Sequence, residues 1–300
     1  MPKLSRSQFN KAKNFIMDKS RKLDRAMFEF EFENGSKESV LAELRAYQNS
    51  DGGFGNAIEP DFRCNESSAL GTTVALQYLS RIHADENTDM VKQAVSYLLR
   101  SAKKLDSYYW EIVPKEVETA PRAPWWNYNE SRPFTGNPNA EIIGYLHEFR
   151  GLVSSDMLNE LTTHILNYID DLHEPEFHEL LCFLTMVERL PLSLKERLSE
   201  KIAIMVQKCV TIQPDLWQNY CLQPIQVVQS PNSPYYKMFK EALTANLDYL
   251  VAKQTEDGCW NPAWAWGQFE DAWQHAKVEW QGWLTLDYLN ILRQHDYIEM

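Results

Sequence analysis

Gln48-Asn49-Ser50-Asp51-Gly52-Gly53-Phe54 recurs as Gln254-Thr255-Glu256-Asp257-Gly258-Cys259-Trp260. Each copy follows a helical pattern and is followed by an acidic residue, Glu59 or Glu270. Each then enters an apolar helix, Ala75-Leu76-Gln77-Tyr78-Leu79 or Thr285-Leu286-Asp287-Tyr288-Leu289. A glycine after the aspartate permits a sharp turn, the glutamine can hydrogen-bond exposed helix-end groups, and the aromatic pins the turn to its neighbour. A weaker middle copy is expected from Trp125-Trp126-Asn127 to Asn137-Pro138-Asn139-Ala140-Glu141, without the Gln and Asp-Gly. Helices joined by short turns and repeated along a chain of this size predict a closed ring of helix pairs.

Working outward, amphipathic periodicity predicts helices near 6–20, 37–49, 66–83, 87–104, 138–150, 154–171, 174–190, 193–210, 215–229, 233–253 and 270–294. Gly35, Asp51-Gly52-Gly53, Gly136-Asn137-Pro138, Pro175, Pro191, Pro231 with Pro234, and Gly258 punctuate them. No alternating run is long enough to found a sheet, so the expected class is all-α. Residues 105–136 are the exception, a long irregular insertion with room for a short hairpin. Its Trp110, Trp125 and Trp126 predict an ordered, packed excursion, and loops of this length are usually functional when ordered. Length alone suggests two domains at roughly 150 residues each. No Gly/Ser or charged linker divides the chain, however, so a single domain over 1–300 is expected.

Tyr249-Leu250-x-x-x-Gln254-x-x-x-Gly258-x-Trp260 resembles the core of the QW motif of squalene–hopene-type terpenoid cyclases, with 48–54 as a looser copy. The Asp51-Gly52-Gly53-Phe54 turn is similar to the repeats of protein prenyltransferase β-subunits. The resemblance implies an (α/α) toroid of six hairpins, with inner helices lining a central cavity. It also implies a small, largely apolar, prenyl or terpenoid-like ligand there. The prenyltransferase branch holds zinc with Asp, Cys and His, which Asp257, Cys259 and His275 supply by residue type. The D-x-D-D acid motif of class II cyclases is absent. Asp170-Asp171-Leu172-His173-Glu174 resembles a magnesium motif, but a carboxylate pair before a proline reads as a solvated helix end.

If outer and inner helices alternate, the inner ones begin near 59–64, 137–141, 174–179, 215–219 and 270–275. Carboxylates at such starts cap helices or act as acids and bases. Glu59, Asp61, Glu270 and His275 are the catalytic candidates. Glu59 is the best single acid, because two carboxylates and Arg63 surround the rigid Pro60. Arg63, Asn137, Asn139, Glu141 and His178 are candidate ligand contacts. Trp125, Trp126, Trp217, Trp264, Trp266, Trp273 and Trp280 are candidate walls. Aromatic faces stabilise carbocations and stack on sugars, so a carbohydrate-active enzyme with paired carboxylates is the alternative. A ring that binds without catalysing is the third reading.

Composition narrows the classes further. The net charge of −12 offers no basic field for nucleic acid or anionic membranes, so neither partner is expected. No apolar run reaches transmembrane length, and the N-terminus lacks the apolar stretch of a signal peptide. Five cysteines without paired spacing point to a reducing, cytoplasmic setting. Six of the ten tryptophans fall between Trp260 and Trp283, which marks that segment as a candidate wall.

Overall fold

A polar side chain on a helix, bonded back one turn, receives the backbone N–H of an aromatic residue that ends the preceding turn. This clasp occurs three times in the computed structural model, which describes residues 3–130 and 133–299. The helices are α1 (Arg6–Lys19), α2 (Lys22–Phe32), α3 (Lys37–Leu44), α4 (Ala69–Arg81), α5 (Asp89–Ser101) and α6 (Gly136–Glu148). They continue as α7 (Ser155–Asp171), α8 (Phe177–Arg189), α9 (Leu192–Cys209), α10 (Pro224–Val227), α11 (Tyr236–Ala252) and α12 (Glu270–Gln294). A two-residue hairpin, β1 (Lys103–Lys104) with β2 (Tyr108–Tyr109), is the one sheet among the described residues. The protein is thus mainly helical, as the periodicity predicts. None of the described helices is long and apolar enough to cross a membrane.

The chain groups into two compact units, Met1–Glu43 with Val210–Met300, and Leu44–Cys209. In the first, α1 packs on α2 and α12, and α10 packs on α11. Ser5 and Gln8 form a capping box at the start of α1. Helix α2 is absent from the sequence expectation. Its Phe28-Glu29-Phe30-Glu31-Phe32 run alternates with strand period, but Phe28 and Phe32 stack at 5.0 Å one helical turn apart and meet Phe9. The single helix expected over 215–229 is also corrected. Pro224, which lacks an N–H and clashes one turn back, confines helix to a 3₁₀ turn at Pro214–Leu216 and to α10.

In the second unit α6 packs along α8, flanked by α4, α7 and α9. The described residues of the 105–136 excursion carry their own small core of Ile112, Val113 and Val117 against Phe62 and Cys64.

The two sequence repeats fold alike. Gln48 Nε2 donates to the Gly52 carbonyl at 3.2 Å, and Gln254 Nε2 to the Gly258 carbonyl at 2.9 Å. Gly52 and Gly258 have φ of 88° and 93°, which favours glycine. A Cβ on Gly258 would also stand 2.4 Å from the Lys11 carbonyl carbon. The Phe54 N–H then donates to Thr72 Oγ1 at 3.1 Å, and the Trp260 N–H to Thr285 Oγ1 at 3.2 Å. Each threonine hydroxyl donates to the carbonyl one turn back, Ser68 or Gln281.

The middle copy exists but is centred elsewhere than expected. Trp110, not Trp125 or Trp126, donates its backbone N–H to Asn139 Oδ1 at 2.8 Å, and Asn139 Nδ2 donates to the Thr135 carbonyl at 2.9 Å. The Trp110 and Trp260 indoles both reach back to the preceding helix, at Leu98 and Leu250, each at 2.8 Å. Thr285→Val would leave the Trp260 N–H buried without an acceptor. The expected loss is about 1–3 kcal/mol in denaturant unfolding, with Thr285→Ser closer to the parent. Equal stability of the valine variant and the parent would remove the clasp from the energetics of the fold.

Candidate active site

The segment after Phe54 is held on both sides before it reaches Glu59. The Gly55 N–H donates to the Tyr47 carbonyl at 3.1 Å. Only glycine fits here, since a Cβ would stand 2.2 Å from the Glu66 carbonyl oxygen. Asn56 and Ala57 follow, both in left-handed conformation at φ of 54° and 59°. Non-glycine residues in that region cost of order 1–3 kcal/mol each, and such strain concentrates at functional sites. Asn56 is anchored by Nδ2 to Asn49 Oδ1 at 3.1 Å, whereas Ala57 has no side-chain bond that could offset its conformation. The excursion then straps the segment down. The Ala123 N–H donates to the Asp61 carbonyl at 2.7 Å, and the Arg63 N–H to the Pro121 carbonyl at 2.9 Å.

This clamp holds two carboxylic acids out of water, Glu59 at 7% and Asp61 at 4% exposure. The Asp61 N–H donates to Glu59 Oε2 at 2.6 Å. Burial, then the negative charge of Asp61, push the Glu59 pKa well above the usual carboxylate range, and the Asp61 N–H and the Trp126 indole pull it back only in part. The Trp126 Nε1–H is itself buried and lies beside the Glu59 carboxyl. Trp126 also meets Phe62 edge-on at 6.4 Å between ring centres. A carboxyl with a raised pKa and a second buried acid therefore share one strained loop, with the Trp126 indole of the excursion beside them. Such perturbed acids are candidates for catalysis.

A second buried acid group has the opposite character. Glu141 on α6 accepts from Gln77 Nε2 on α4 at 2.8 Å, beside Tyr145, Cys182 and Arg189. Burial raises its pKa, and its hydrogen-bonding and charged neighbours lower it. Glu179 on α8 accepts from the Tyr168 hydroxyl at 2.7 Å and from the Gly136 N–H. These carboxylates knit helices together and have their oxygens engaged, which is the bland role of a buried polar network.

The remaining predicted residues are dispersed. Arg63 is half-buried and Trp125 is 41% exposed. Asn137 accepts from the Thr135 hydroxyl through its carbonyl, and Asn139 serves the clasp. His178 pairs with Glu176 at 2.6 Å and stacks on Phe177. Trp217 is buried, with its indole donating to the Thr211 carbonyl at 2.7 Å. Trp264 meets Trp280 edge-on at 5.1 Å, while Trp266 and Trp273 pair at 5.7 Å and are buried.

Glu270 and His275 stand exposed on the first turns of α12 and belong to the other unit from Glu59. The zinc set does not assemble. Asp257 is exposed, Cys259 is buried against the Thr255 hydroxyl with its thiol pKa raised by burial, and no three His, Cys, Asp or Glu side chains group as ligands among the described residues.

The excursion also lines a half-open cavity of about 350 Å³ that the sequence reading did not foresee. Tyr109, Trp110, Ile112, Tyr128 and Phe134 form its apolar wall. Its one advance signal is the aromatic content of an unusually long loop. No family model matches the chain, and no curated protein or solved structure does.

The raised Glu59 pKa makes stability pH-dependent with a defined sign. Glu59 is protonated in both states below about pH 4. As pH rises the unfolded chain ionises first, so stability is lost until the folded carboxyl also ionises. Glu59→Gln removes this term. Its melting temperature should gain on the parent as pH rises above about pH 4. Parallel pH profiles for the two proteins would contradict the raised pKa.

Proposed function

We propose that the chain is an acid catalyst of the terpenoid cyclase and prenyltransferase toroid type, acting on a small, largely apolar ligand with Glu59 as the proton donor. One observation carries this: Glu59 is desolvated beside Asp61 on a strained loop, which raises its pKa well above the usual carboxylate range. Protonating carbon requires an acid that water has not levelled and a counter-charge that survives the transfer. Glu59 supplies the proton. Its carboxylate is then received by the Asp61 N–H, and the Asp61 carboxyl supplies negative charge near a developing cation. The Trp126 ring, beside Glu59, adds an electron-rich face.

The test is incubation of the purified chain with linear isoprenoid alkenes and alcohols, in parallel with oligosaccharides, followed by product analysis. An isomerised or cyclised isoprenoid product is expected, reduced at least about a hundredfold in Glu59→Gln, the lower range for loss of a general acid. Oligosaccharide cleavage would replace the reading with paired-carboxylate glycoside chemistry. No product from either class would leave a ring that binds without catalysing.

A further inference from the structure

Of two adjacent tryptophans, the excursion turns one outward and one inward. A 3₁₀ turn at Pro124–Trp126, in which the Trp126 N–H donates to the Ala123 carbonyl at 3.1 Å, leaves Trp125 41% exposed. Trp126 instead packs against the small core at Phe62, and its Nε1–H is buried beside the Glu59 carboxyl. The strap that carries it, residues 121–127, is stapled from within. Arg122 Nε donates to Asn127 Oδ1 at 2.7 Å, and Arg122 Nη1 to the Val117, Glu118 and Ala120 carbonyls at 3.2, 3.0 and 3.2 Å. Arg122 also pairs with Phe62 in an antiparallel bridge, flanked by the Ala123–Asp61 and Arg63–Pro121 backbone bonds. The indole is therefore presented to Glu59 by a braced segment.

The donors at Glu59 come from two places. The Asp61 and Phe62 N–H groups belong to its own loop and stay with it whatever the excursion does. The Trp126 N–H arrives only when the strap is docked. A donor to a carboxyl favours the ionised form and so eases release of the proton, whereas burial and Asp61 resist it. An acid that holds its proton too tightly is a poor donor. Among the described residues, the charged groups of the elements packed here are Asp61, Arg63 on the same loop, and Arg122, whose guanidinium is engaged by excursion carbonyls. The Cys64 thiol of the shared core, beside Glu66 and Glu116, is pushed up to about 12 and stays neutral.

We propose that Trp126 is a positioning residue for Glu59: the docked strap delivers its indole N–H to the carboxyl, fixing the orientation of the group and easing departure of its proton. The proton leaves for the substrate, and the carboxylate left behind accepts the indole N–H together with that of Asp61. In its functional meaning this rests on Glu59 being the proton donor of the proposed reaction; the effect of the indole on Glu59 does not.

The test is a titration of Glu59 by NMR in the full chain, labelled at the glutamate carboxyl carbons, with Glu59→Gln identifying the signal. Trp126→Phe keeps an aromatic ring against Phe62 and removes the N–H. Its Glu59 midpoint is expected above the parent's, the proton being held about tenfold more tightly, the scale of one hydrogen bond to a charged group. Trp126→benzothienylalanine, which keeps the fused ring and also lacks the N–H, should give the same rise. Arg122→Ala unfastens the strap and sets the opposite sign, because water then reaches the carboxyl and the midpoint falls. A Trp126 that merely packs would move the midpoint down on substitution, as Arg122→Ala does, or leave it in place, and either result overturns the proposal. With a substrate in hand, the pH profile of kcat should shift upward in Trp126→Phe by the same amount. A raised midpoint without any product would reject the acid-catalyst reading and uphold the role of Trp126, whereas turnover with an unmoved midpoint would do the reverse.

Discussion

The structure depends on one arrangement of hydrogen bonds: an aromatic backbone N–H held by a side chain that is itself held one turn back along its own helix. Phe54 on Thr72, Trp110 on Asn139 and Trp260 on Thr285 use it in turn. The N–H groups are buried, so each must find an acceptor or forfeit its desolvation energy. A threonine or asparagine supplies the acceptor while spending its own donor on a helix carbonyl, so no polar group in the clasp is left over. The aromatic ring, fixed at its backbone, is then free to pack, and in Trp110 and Trp260 the indole N–H ties back to the preceding helix. Helix, turn and following helix become a single mechanical piece.

That rigidity lets the segment after Phe54 tolerate what would otherwise relax. Two successive left-handed residues and two buried acids lie just beyond the first clasp, and each is unfavourable by itself. They persist because Phe54 anchors the segment on one side and the excursion's Pro121 and Ala123 bond to it on the other. Glu141 and Glu179 show how buried acids look when their work is structural: their partners are numerous and come from neighbouring helices. Glu59 is bonded mainly within its own loop, by the Asp61 and Phe62 N–H groups, and by the Trp126 indole of the excursion. That contrast, more than burial, separates a loop acid from acids that fasten helices together.

Much of this was legible in the sequence. The Gln-x-x-Asp-Gly-x-aromatic turns carry glycines that only a positive φ requires, and both fold as the spacing predicts. The Glu59–Asp61 pair was legible because its members are two residues apart and need no tertiary contact to meet. The third clasp was misplaced, because Asn139 is chemically unlike Thr72 and Thr285. Its aromatic, Trp110, is also separated from it by the whole excursion. Helix α2 was hidden by a run whose phenylalanines alternate with glutamates, a pattern that periodicity assigns to a strand. Glu270 and His275 were grouped with Glu59 only through an assumed ring, and in the protein they are exposed side chains on α12.

The segments joining the two ends of each clasp differ greatly in length and content. Between Phe54 and Thr72 lies a short strained loop, and between Trp110 and Asn139 an excursion with its own core and cavity. Because both ends are fixed, the intervening chain is a cassette that can be lengthened, shortened or exchanged with little consequence for the helices. Selection acting on such a scaffold would change ligands by rewriting one cassette at a time. The chemistry of related chains should therefore diverge faster than their helical frame.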